Sequence, residues 1–242
     1  MRVWVGVAMS SRPVQPSTMN QDRVYKNDGN SPLISLLDDE ALQVLDVGCG
    51  AGDNAALIRS RLSGCRIYGI THSAAEAELA GRYMTACAVR DIEGDIPSEF
   101  AAMRFDAIIF SHVLEHLRDP GAVLLKFSQL LRRKGMVLIA VPNALSWAMR
   151  WQFLRGDFEY RADGVLDETH LRFFTYKTAD GFLLSRCPQL TLVSKHVTGS
   201  VPLWWLRRYI LPRRASNFLD AMGCRFWPNL FGGQILLKAV HD

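Results

Sequence analysis

The sequence lacks any apolar run of the ~18 residues that a membrane span requires, so we expect no transmembrane segment. Residues 1–9 are apolar, but the run is short and no small-residue cleavage pattern follows it, which argues against a signal peptide. Cysteine is scarce: the five residues are odd in number and contain no C-x-x-C pair, so neither a disulfide framework nor a zinc–thiolate site is expected. These absences favour a protein of the reducing cytoplasm.

The sequence also lacks a strong excess of either charge. A net charge of +4 and a pI of about 8.9 permit an acidic substrate without indicating nucleic acid. Hydrophobic residues make up 49% of the chain and charged residues 21%, so a sizeable core is available. There are no internal repeats, and 242 residues suit one α/β domain with an elaboration. We predict a flexible, Ser/Pro/Asn/Asp-rich N-terminal arm over residues 1–31 and a single domain over 32–242.

The chain is organised around a strand, a glycine turn and a helix. The run Gln43–Val47 is short and mostly apolar, as expected of a buried strand. Gly48, Gly50 and Gly52 follow it, and residues 55–62 then have the pattern of a helix. Glycines in such a turn allow the backbone to approach a ligand closely.

The residues around this turn indicate what kind of ligand it binds. The spacing is G-x-G-x-G, not the G-x-G-x-x-G of dinucleotide sites, and Asp46 adds a carboxylate that would repel a diphosphate. A ligand with a cationic end is therefore favoured over NAD or FAD. The string VLDVGCGAG, residues 44–52, resembles the first motif of the class I S-adenosylmethionine (SAM)-dependent methyltransferases. This resemblance implies SAM as the cofactor and methyl transfer as the activity.

The later segments continue the alternation of strands and helices. A helix should begin at Ser73, where Ser73 and Glu76 match a capping box, and another at Asp119-Pro120, ending at Lys134-Gly135. We therefore predict a doubly wound, mostly parallel, Rossmann-like sheet with an antiparallel C-terminal strand pair. The predicted later strands are 66–70, a strand that ends near 89–93, 105–110, 136–141, 190–197 and 233–240.

Four segments should meet beyond the carboxyl ends of the strands, where ligands bind in such sheets: 48–52, 71–73, 91–93 and 111–116. In the family, an acid at the end of the second strand holds the ribose of SAM, whereas this chain has Thr71 there. The resemblance assigns Asp91 and Ile92 to the adenine, and a solvated acidic loop is the alternative. The predicted cofactor-binding residues are Asp46, Gly48, Cys49, Gly50, Gly52, Thr71, His72, Asp91, Ile92, Ser111 and His112.

The string His112-x-x-Glu115-His116 resembles the inverted zincin motif, but it follows a predicted strand and does not lie inside a helix. It also resembles the Glu-x-x-Glu-His string that holds a divalent ion in ubiquinone-type O-methyltransferases, with His112 in place of the first Glu. Since the string has no clear further ligand, we predict no metal site. We expect Glu115 and His116 to organise the cofactor-side loop through hydrogen bonds.

A second informative string, Leu-Asp-x-Thr-His-Leu-Arg-Phe-Phe-Thr, runs from Leu166 to Thr175. It resembles bacterial methyltransferases found with cell-surface saccharide biosynthesis and, more loosely, MetW-type proteins. The string contains an acid, a base and a cation close to aromatic residues, namely Asp167, His170 and Arg172, and this combination suits a polar acceptor. His170 and His116 are the candidate catalytic bases, because imidazole titrates near neutrality. The alternative is that His170 and Arg172 anchor a cap onto the sheet.

Two aromatic-rich insertions are predicted, over about 144–180 and 200–231. The second contains clustered tryptophans and arginines over 204–214, which would suit peripheral contact with a membrane or with phosphate groups. The alternative is a solvated helix face with a buried aromatic side.

We predict a SAM-dependent methyltransferase that O-methylates a small polar acceptor such as a sugar or a carrier-linked saccharide. One rival is a SAM-binding partner protein or pseudo-enzyme of the MetW type, and another is an enzyme with a quinone or lipid acceptor. Nucleic acid is disfavoured as a substrate, because the arginines cluster near the C-terminal third and form no continuous basic stretch.

Overall fold

The structure, a computed structural model, describes residues 28–202 and 211–242. A seven-stranded sheet in the order β3-β2-β1-β4-β5-β7-β6 forms its centre, parallel from β3 to β5 and antiparallel for β7 and β6. This arrangement confirms the predicted fold class. The strands are β1 Gln43–Val47, β2 Arg66–Thr71, β3 Ala86–Val89, β4 Phe105–Ser111, β5 Leu131–Pro142, β6 Leu190–Gly199 and β7 Gly232–His241.

The helices are mostly short and connect these strands. One 3₁₀ turn, Leu114–His116, follows β4. The α-helices in the described ranges are α1 Ser31–Ile34, α2 Asp53–Arg61, α3 Ala74–Ala80, α4 Ser98–Ala101, α5 Pro120–Ser128, α6 Trp147–Leu154, α7 Ala179–Leu183, α8 Arg213–Phe226 and α9 Pro228–Phe231.

The sheet is buried on both faces, which explains the nearly continuous apolar sequence of its central strands. All five residues of β1 are buried between β2 and β4. Alternate residues of the strands enter two separate apolar clusters, with Leu45 and Val47 in one and Val44 in the other. Because the central strands are held from both sides, the loops at their carboxyl ends start from rigid positions.

Local capping signals set the start of two helices as predicted. The Ser73 hydroxyl accepts a hydrogen bond from the Glu76 backbone N–H at 3.3 Å, at the start of α3. The Asp119 carboxylate accepts one from the Ala122 N–H at 3.1 Å, and Pro120 occupies the first position of α5.

Two helix boundaries were predicted wrongly. Helix α5 ends at Ser128, not at Lys134-Gly135, because Leu131 already pairs with Phe105 at the start of β5. Lys134 then lies at φ +63 within a register shift that no helix pattern indicates. The sequence also suggests that Thr175 caps a helix ending before Pro188, but the helix begins at Ala179, with Thr178 as its N-cap residue.

The predicted arm and insertions are partly described. Asn30, at the end of the predicted arm, is buried and caps α1. In the first insertion, α6 carries the exposed side chains of Trp151 and Leu154. In the second, residues 203–210 lie outside the described residues. Of the tryptophans and arginines on which the membrane-contact prediction for 204–214 depends, the structure therefore describes Arg213 and Arg214, at the start of α8. None of the helices over 28–202 and 211–242 has the length and apolarity to cross a bilayer.

Candidate functional site

The glycine turn lies at the carboxyl end of β1, as predicted. Gly48 and Gly50 adopt φ values of +76 and +52, which side-chain-bearing residues rarely adopt. A Cβ on Gly48 would lie 2.4 Å from Cγ2 of Val113. The backbone N–H groups of Gly48 and Cys49 both donate to the carbonyl of Ile70, at 2.8 and 3.0 Å, so the turn is tied to β2.

Asp46 lies under this turn as a buried carboxylate. Its side chain is fully buried, and neither oxygen has a hydrogen-bond partner within geometric limits among the described residues. Burial raises the pKa of Asp46 to about 7; the Asn54 side chain opposes the shift and the charge of Asp53 adds to it. A cation beside the turn would compensate the cost of ionising this group, so the site fits a ligand with a positive charge.

An acid of α3, Glu76, contacts the end of β2, although its position in the sequence did not mark it as a site residue. Thr71 donates its hydroxyl proton to Oε2 of Glu76 at 2.6 Å, and both side chains are buried. The neighbouring His72 is exposed. Glu76, assigned by its spacing only to helix capping, therefore places a carboxylate beside the position where the family has its ribose-binding acid.

The 91–94 turn is fixed from α5. Asp91 is exposed, and its Oδ1 accepts a hydrogen bond from the Glu93 N–H at 2.9 Å, while Ile92 packs against the core. The Lys126 ammonium donates to the Ile92 carbonyl at 2.8 Å and also to the Gly94 carbonyl. The turn is thus held against α5, and the adenine contact of Asp91 and Ile92 stays a prediction.

Residues distant in sequence meet around the end of β4. The Asn30 amide donates to Oε1 of Gln234 at 2.9 Å and to the Ser111 hydroxyl at 3.4 Å, and the Asn30 N–H donates to Oδ1 of Asn54 at 2.9 Å. His112, at φ +54, lies 2.9 Å from Gln234 through Nε2. No motif marks Asn30 or Gln234, so sequence reasoning missed both.

His112 also contacts the Glu115 carboxylate, with Nδ1 at 3.3 Å from Oε1. Burial acts to lower the pKa of His112, but the Glu115 hydrogen bond and charge, together with Gln234, raise it above its usual value. His112 therefore serves as a donor to Glu115, and this bond fixes the loop that carries Glu115.

The structure brings the two candidate bases together around Glu115. The rings of His116 and His170 meet edge to face with centroids 4.6 Å apart, and Nε2 of His170 lies 4.0 Å from Oε1 of Glu115. The Glu115 carboxylate is 1% exposed, and its Oε2 has no hydrogen-bond partner in the described chain. The sequence indicated each histidine separately but not their contact.

The 166–175 string docks onto this cluster through its backbone. The N–H groups of Leu171 and Arg172 donate to the Glu115 carbonyl at 2.8 and 2.9 Å. The Arg172 guanidinium donates to the Arg118 carbonyl, which supports the anchoring alternative for that residue. Asp167 is buried and bonds Thr169, whose hydroxyl lies 2.9 Å from Nδ1 of His116.

Two hollows lie beside α6. One, of about 270 Å³, is lined by Trp147, Trp151 and Leu230 among others, and the second, of about 360 Å³, by Gln152 and Arg155 among others. No strand-end residue lines either of them. We therefore place the candidate site at the strand ends, where the buried carboxylates and histidines converge.

Comparison with known proteins identifies the family of this chain. A family model described as a methyltransferase domain matches residues 19–180, which is more than half of the chain. A ubiquinone biosynthesis O-methyltransferase of Rhodopseudomonas palustris (strain TIE-1) is 33% identical over 137 residues, which cover 54% of this chain and 51% of that protein. The chain thus spans about half the length of the curated relatives it matches.

Solved structures share the fold at low identity. A SAM-dependent methyltransferase from Archaeoglobus fulgidus superposes with a TM-score of 0.56 at 16% identity, covering 84% of this chain and 87% of the other. The [4+2]-cyclase SpnF superposes with a TM-score of 0.57 at 16% identity, covering 87% and 80%. Because a cyclase shares the fold, the fold alone does not determine the reaction.

Proposed function

The chain belongs to the methyltransferase domain family, whose cofactor is S-adenosylmethionine, and we propose that it transfers the methyl group of SAM to an oxygen of a small polar acceptor. The observation that carries this proposal is Asp46 beside the glycine turn, a buried carboxylate whose oxygens accept no hydrogen bond from residues 28–202 or 211–242. A carboxylate in that position suits a ligand that brings a positive charge.

The residues that would hold the cofactor lie at four adjacent strand ends. Gly48 and Gly50 give the turn its positive φ values, which would let the backbone approach the cofactor, and Asp46 would balance its charge. Thr71 with Glu76 offers oxygens at the end of β2, where the family binds ribose. When bound, SAM supplies a methyl group on a sulfonium, which favours displacement by a nucleophilic oxygen. The chain's own contribution is to align the acceptor and exclude water.

The acceptor end of the proposed site is the cluster of Glu115, His116 and His170. The 166–175 string supplies His170 and is hydrogen-bonded to the Glu115 carbonyl. Imidazoles beside a buried carboxylate can take up the proton that an attacking hydroxyl releases. Phe173, in the same string, is 44% exposed and offers an apolar face of the kind that polar ligands such as sugars stack on. These features support an O-methyl acceptor of the saccharide class, free or carrier-linked.

A quinone-type acceptor is a second candidate. It is favoured by the likeness to a ubiquinone biosynthesis O-methyltransferase, which is 33% identical over 137 residues. A SAM-binding partner protein without turnover remains the rival from another class, because the fold also serves other reactions.

Cofactor binding is tested by Gly50→Val. A branched side chain at φ +52 is strained and would occupy the turn, so we expect binding of SAM measured by calorimetry to be abolished while the circular dichroism spectrum is kept. Gly64→Val is the matched control, because a Cβ there meets nothing within 4 Å. Wild-type affinity in Gly50→Val would remove the glycine turn from the cofactor site.

The acceptor class is tested with methyl-labelled SAM in the same proteins. Label transfer to nucleotide sugars or carrier-linked saccharides supports the saccharide proposal, and transfer to a prenylated catechol instead supports the quinone candidate. Tight SAM binding without transfer to either class would favour the partner-protein rival.

We expect turnover to persist in the presence of EDTA. Ligand atoms of Glu115, His116 and His170 lie within 4.8 Å of one another, so the structure supplies the further ligand that the sequence string lacked, but displacement at a sulfonium needs no Lewis acid. The measurement is methyl transfer before and after dialysis against EDTA. Activity that is lost and then restored by Mg²⁺ or Zn²⁺ would show that the cluster binds a metal.

A further inference from the structure

The two histidines of the cluster differ in the hydrogen bonds of their rings, and this difference separates their roles. We propose that Asp167 and Thr169 are positioning residues that hold His116 as the Nδ1–H tautomer, so that Nε2 of His116 is the catalytic base. The inference rests on the proposed methyl transfer to oxygen and deepens it by naming which nitrogen takes the proton.

The argument begins with the single proton of the Thr169 hydroxyl. Its oxygen lies 2.6 Å from Oδ1 of Asp167 and 2.9 Å from Nδ1 of His116. Burial acts to raise the pKa of Asp167, but the Thr169 hydrogen bonds hold it below its usual value, so the carboxylate is ionised and can only accept. Thr169 must therefore give its proton to Asp167 and accept from Nδ1–H of His116.

A neutral imidazole carries one ring proton, so Nε2 of His116 is left with its lone pair. The Thr169 N–H also donates to Oδ1 of Asp167, at 2.8 Å, which fixes the carboxylate in this orientation. The chain Asp167–Thr169–His116 thus sets the tautomer through two hydrogen bonds between side chains, with one hydroxyl between the carboxylate and the ring.

His170 is placed differently. Its Nδ1 lies 2.9 Å from the Val165 carbonyl, which only accepts, so Nδ1 carries the proton there as well. However, the His170 side chain is 7% exposed, its Nε2 is directed toward Glu115, and one side of its ring is covered by His116. Over the whole residue both histidines are partly buried, so the assignment of His116 rests on its contact with the Asp167–Thr169 pair and on the direction of the His170 ring toward Glu115. His170 forms the wall of the site.

The charges around His116 suit a base that is neutral before the reaction. The groups that act on it are Glu115 on its own turn and, from the docked string, Asp167, His170 and the backbone of Thr169, whose hydrogen bond acts to raise its pKa. Burial lowers the pKa of His116 below its usual value, His170 adds to this, and the carboxylates of Glu115 and Asp167 oppose it. The imidazole is therefore neutral at pH 7, with its single proton on Nδ1, and both carboxylates stabilise the imidazolium once it forms.

The proton balance of the step follows. The acceptor's O–H bond breaks and its proton forms a bond to Nε2 of His116, while the oxygen forms its bond to the methyl carbon. The carbon–sulfur bond of SAM breaks and its electron pair stays on sulfur, which becomes neutral. The imidazolium then releases its proton to solvent, and Thr169 and Asp167 keep Nδ1–H unchanged throughout.

The test is nitrogen-15 NMR of the histidine rings in the unliganded protein, with Thr169→Val and Thr169→Ser as the variants. We expect the Nδ1–H tautomer of His116 in the wild type and in Thr169→Ser, and a shift toward Nε2–H in Thr169→Val, which keeps the shape but loses the hydroxyl. The kcat of Thr169→Val should fall by about 10- to 100-fold, because a hydrogen bond to a ring that becomes charged is lost, and Thr169→Ser should restore it.

An Nε2–H tautomer of His116 in the wild type, or an unchanged tautomer in Thr169→Val, would overturn the proposal. Asp167→Asn provides a second measurement: if the carboxylate acts through Thr169, the pKa of His116 should fall in this variant, and an unchanged pKa would contradict the relay. These spectra need neither cofactor nor turnover. If the proposed methyl transfer is wrong, SAM binding or label transfer will instead be absent, while His116 still has the Nδ1–H tautomer.

Discussion

Asp46→Asn should make the unliganded protein more stable at neutral and alkaline pH while it weakens SAM binding. The wild-type carboxylate is fully buried without a hydrogen-bond partner in the described structure, so its ionised form is costly in the absence of a cation. Asparagine removes the charge and keeps the shape. A substitution that stabilises the fold and damages binding is expected where a site is built for its ligand.

The sign of the pH dependence follows from the direction of the shift. Burial raises the pKa of Asp46 from 3.8 to about 7. A group whose pKa is raised in the folded state contributes stability that is present below the unfolded pKa and is lost as pH rises through the folded value. The free energy of unfolding should therefore fall between about pH 4 and pH 7, by roughly 4 kcal/mol at most, and this component should be missing in Asp46→Asn.

Urea unfolding at pH 5 and pH 8 measures the effect. The variant should be more stable than the wild type by a smaller margin at pH 5, where only part of this component has been lost, than at pH 8, whereas Asp163→Asn, an exposed aspartate of the cap, should match the wild type at both. Calorimetry should show wild-type SAM affinity increasing with pH through about 7 as Asp46 ionises. Equal pH dependence in wild type and Asp46→Asn would contradict the assignment.

His116→Ala should lower kcat by about 10²- to 10⁴-fold, the loss expected when a positioned base is removed. The affinity for SAM should be unchanged, because His116 is not among the residues proposed to hold the cofactor. In variants that keep His116, kcat should rise with pH through the pKa of His116, which burial lowers, since the base must be unprotonated to act.

His170→Ala is the matched comparison. Its side chain is 7% exposed and packs between His116 and the Val165 carbonyl, so its removal should lower the melting temperature, and turnover should recover on cooling. Single-turnover methyl transfer with a confirmed acceptor separates the two variants. Full turnover in a folded His116→Ala protein, with strong loss in a folded His170→Ala protein, would exchange the two roles.

The sequence by itself determined the elements whose cause is local. The glycine turn follows from residues that accept positive φ values, and the starts of α3 and α5 follow from Ser73 and Asp119, which cap N–H groups three residues away. The burial of the central strands was equally predictable, because a parallel sheet covered on both faces requires nearly continuous apolar sequence.

Only the tertiary structure decided which distant residues meet. Thr169 and His116 are 53 positions apart and Asn30 and Gln234 are 204 apart, and both pairs are joined by hydrogen bonds. The end of α5 was likewise set by the pairing of Leu131 with Phe105, which competes with the helix for the same backbone groups. Spacing along the chain encodes contacts within a few residues, whereas contacts across the sheet depend on how the strands are ordered and how the loops are docked.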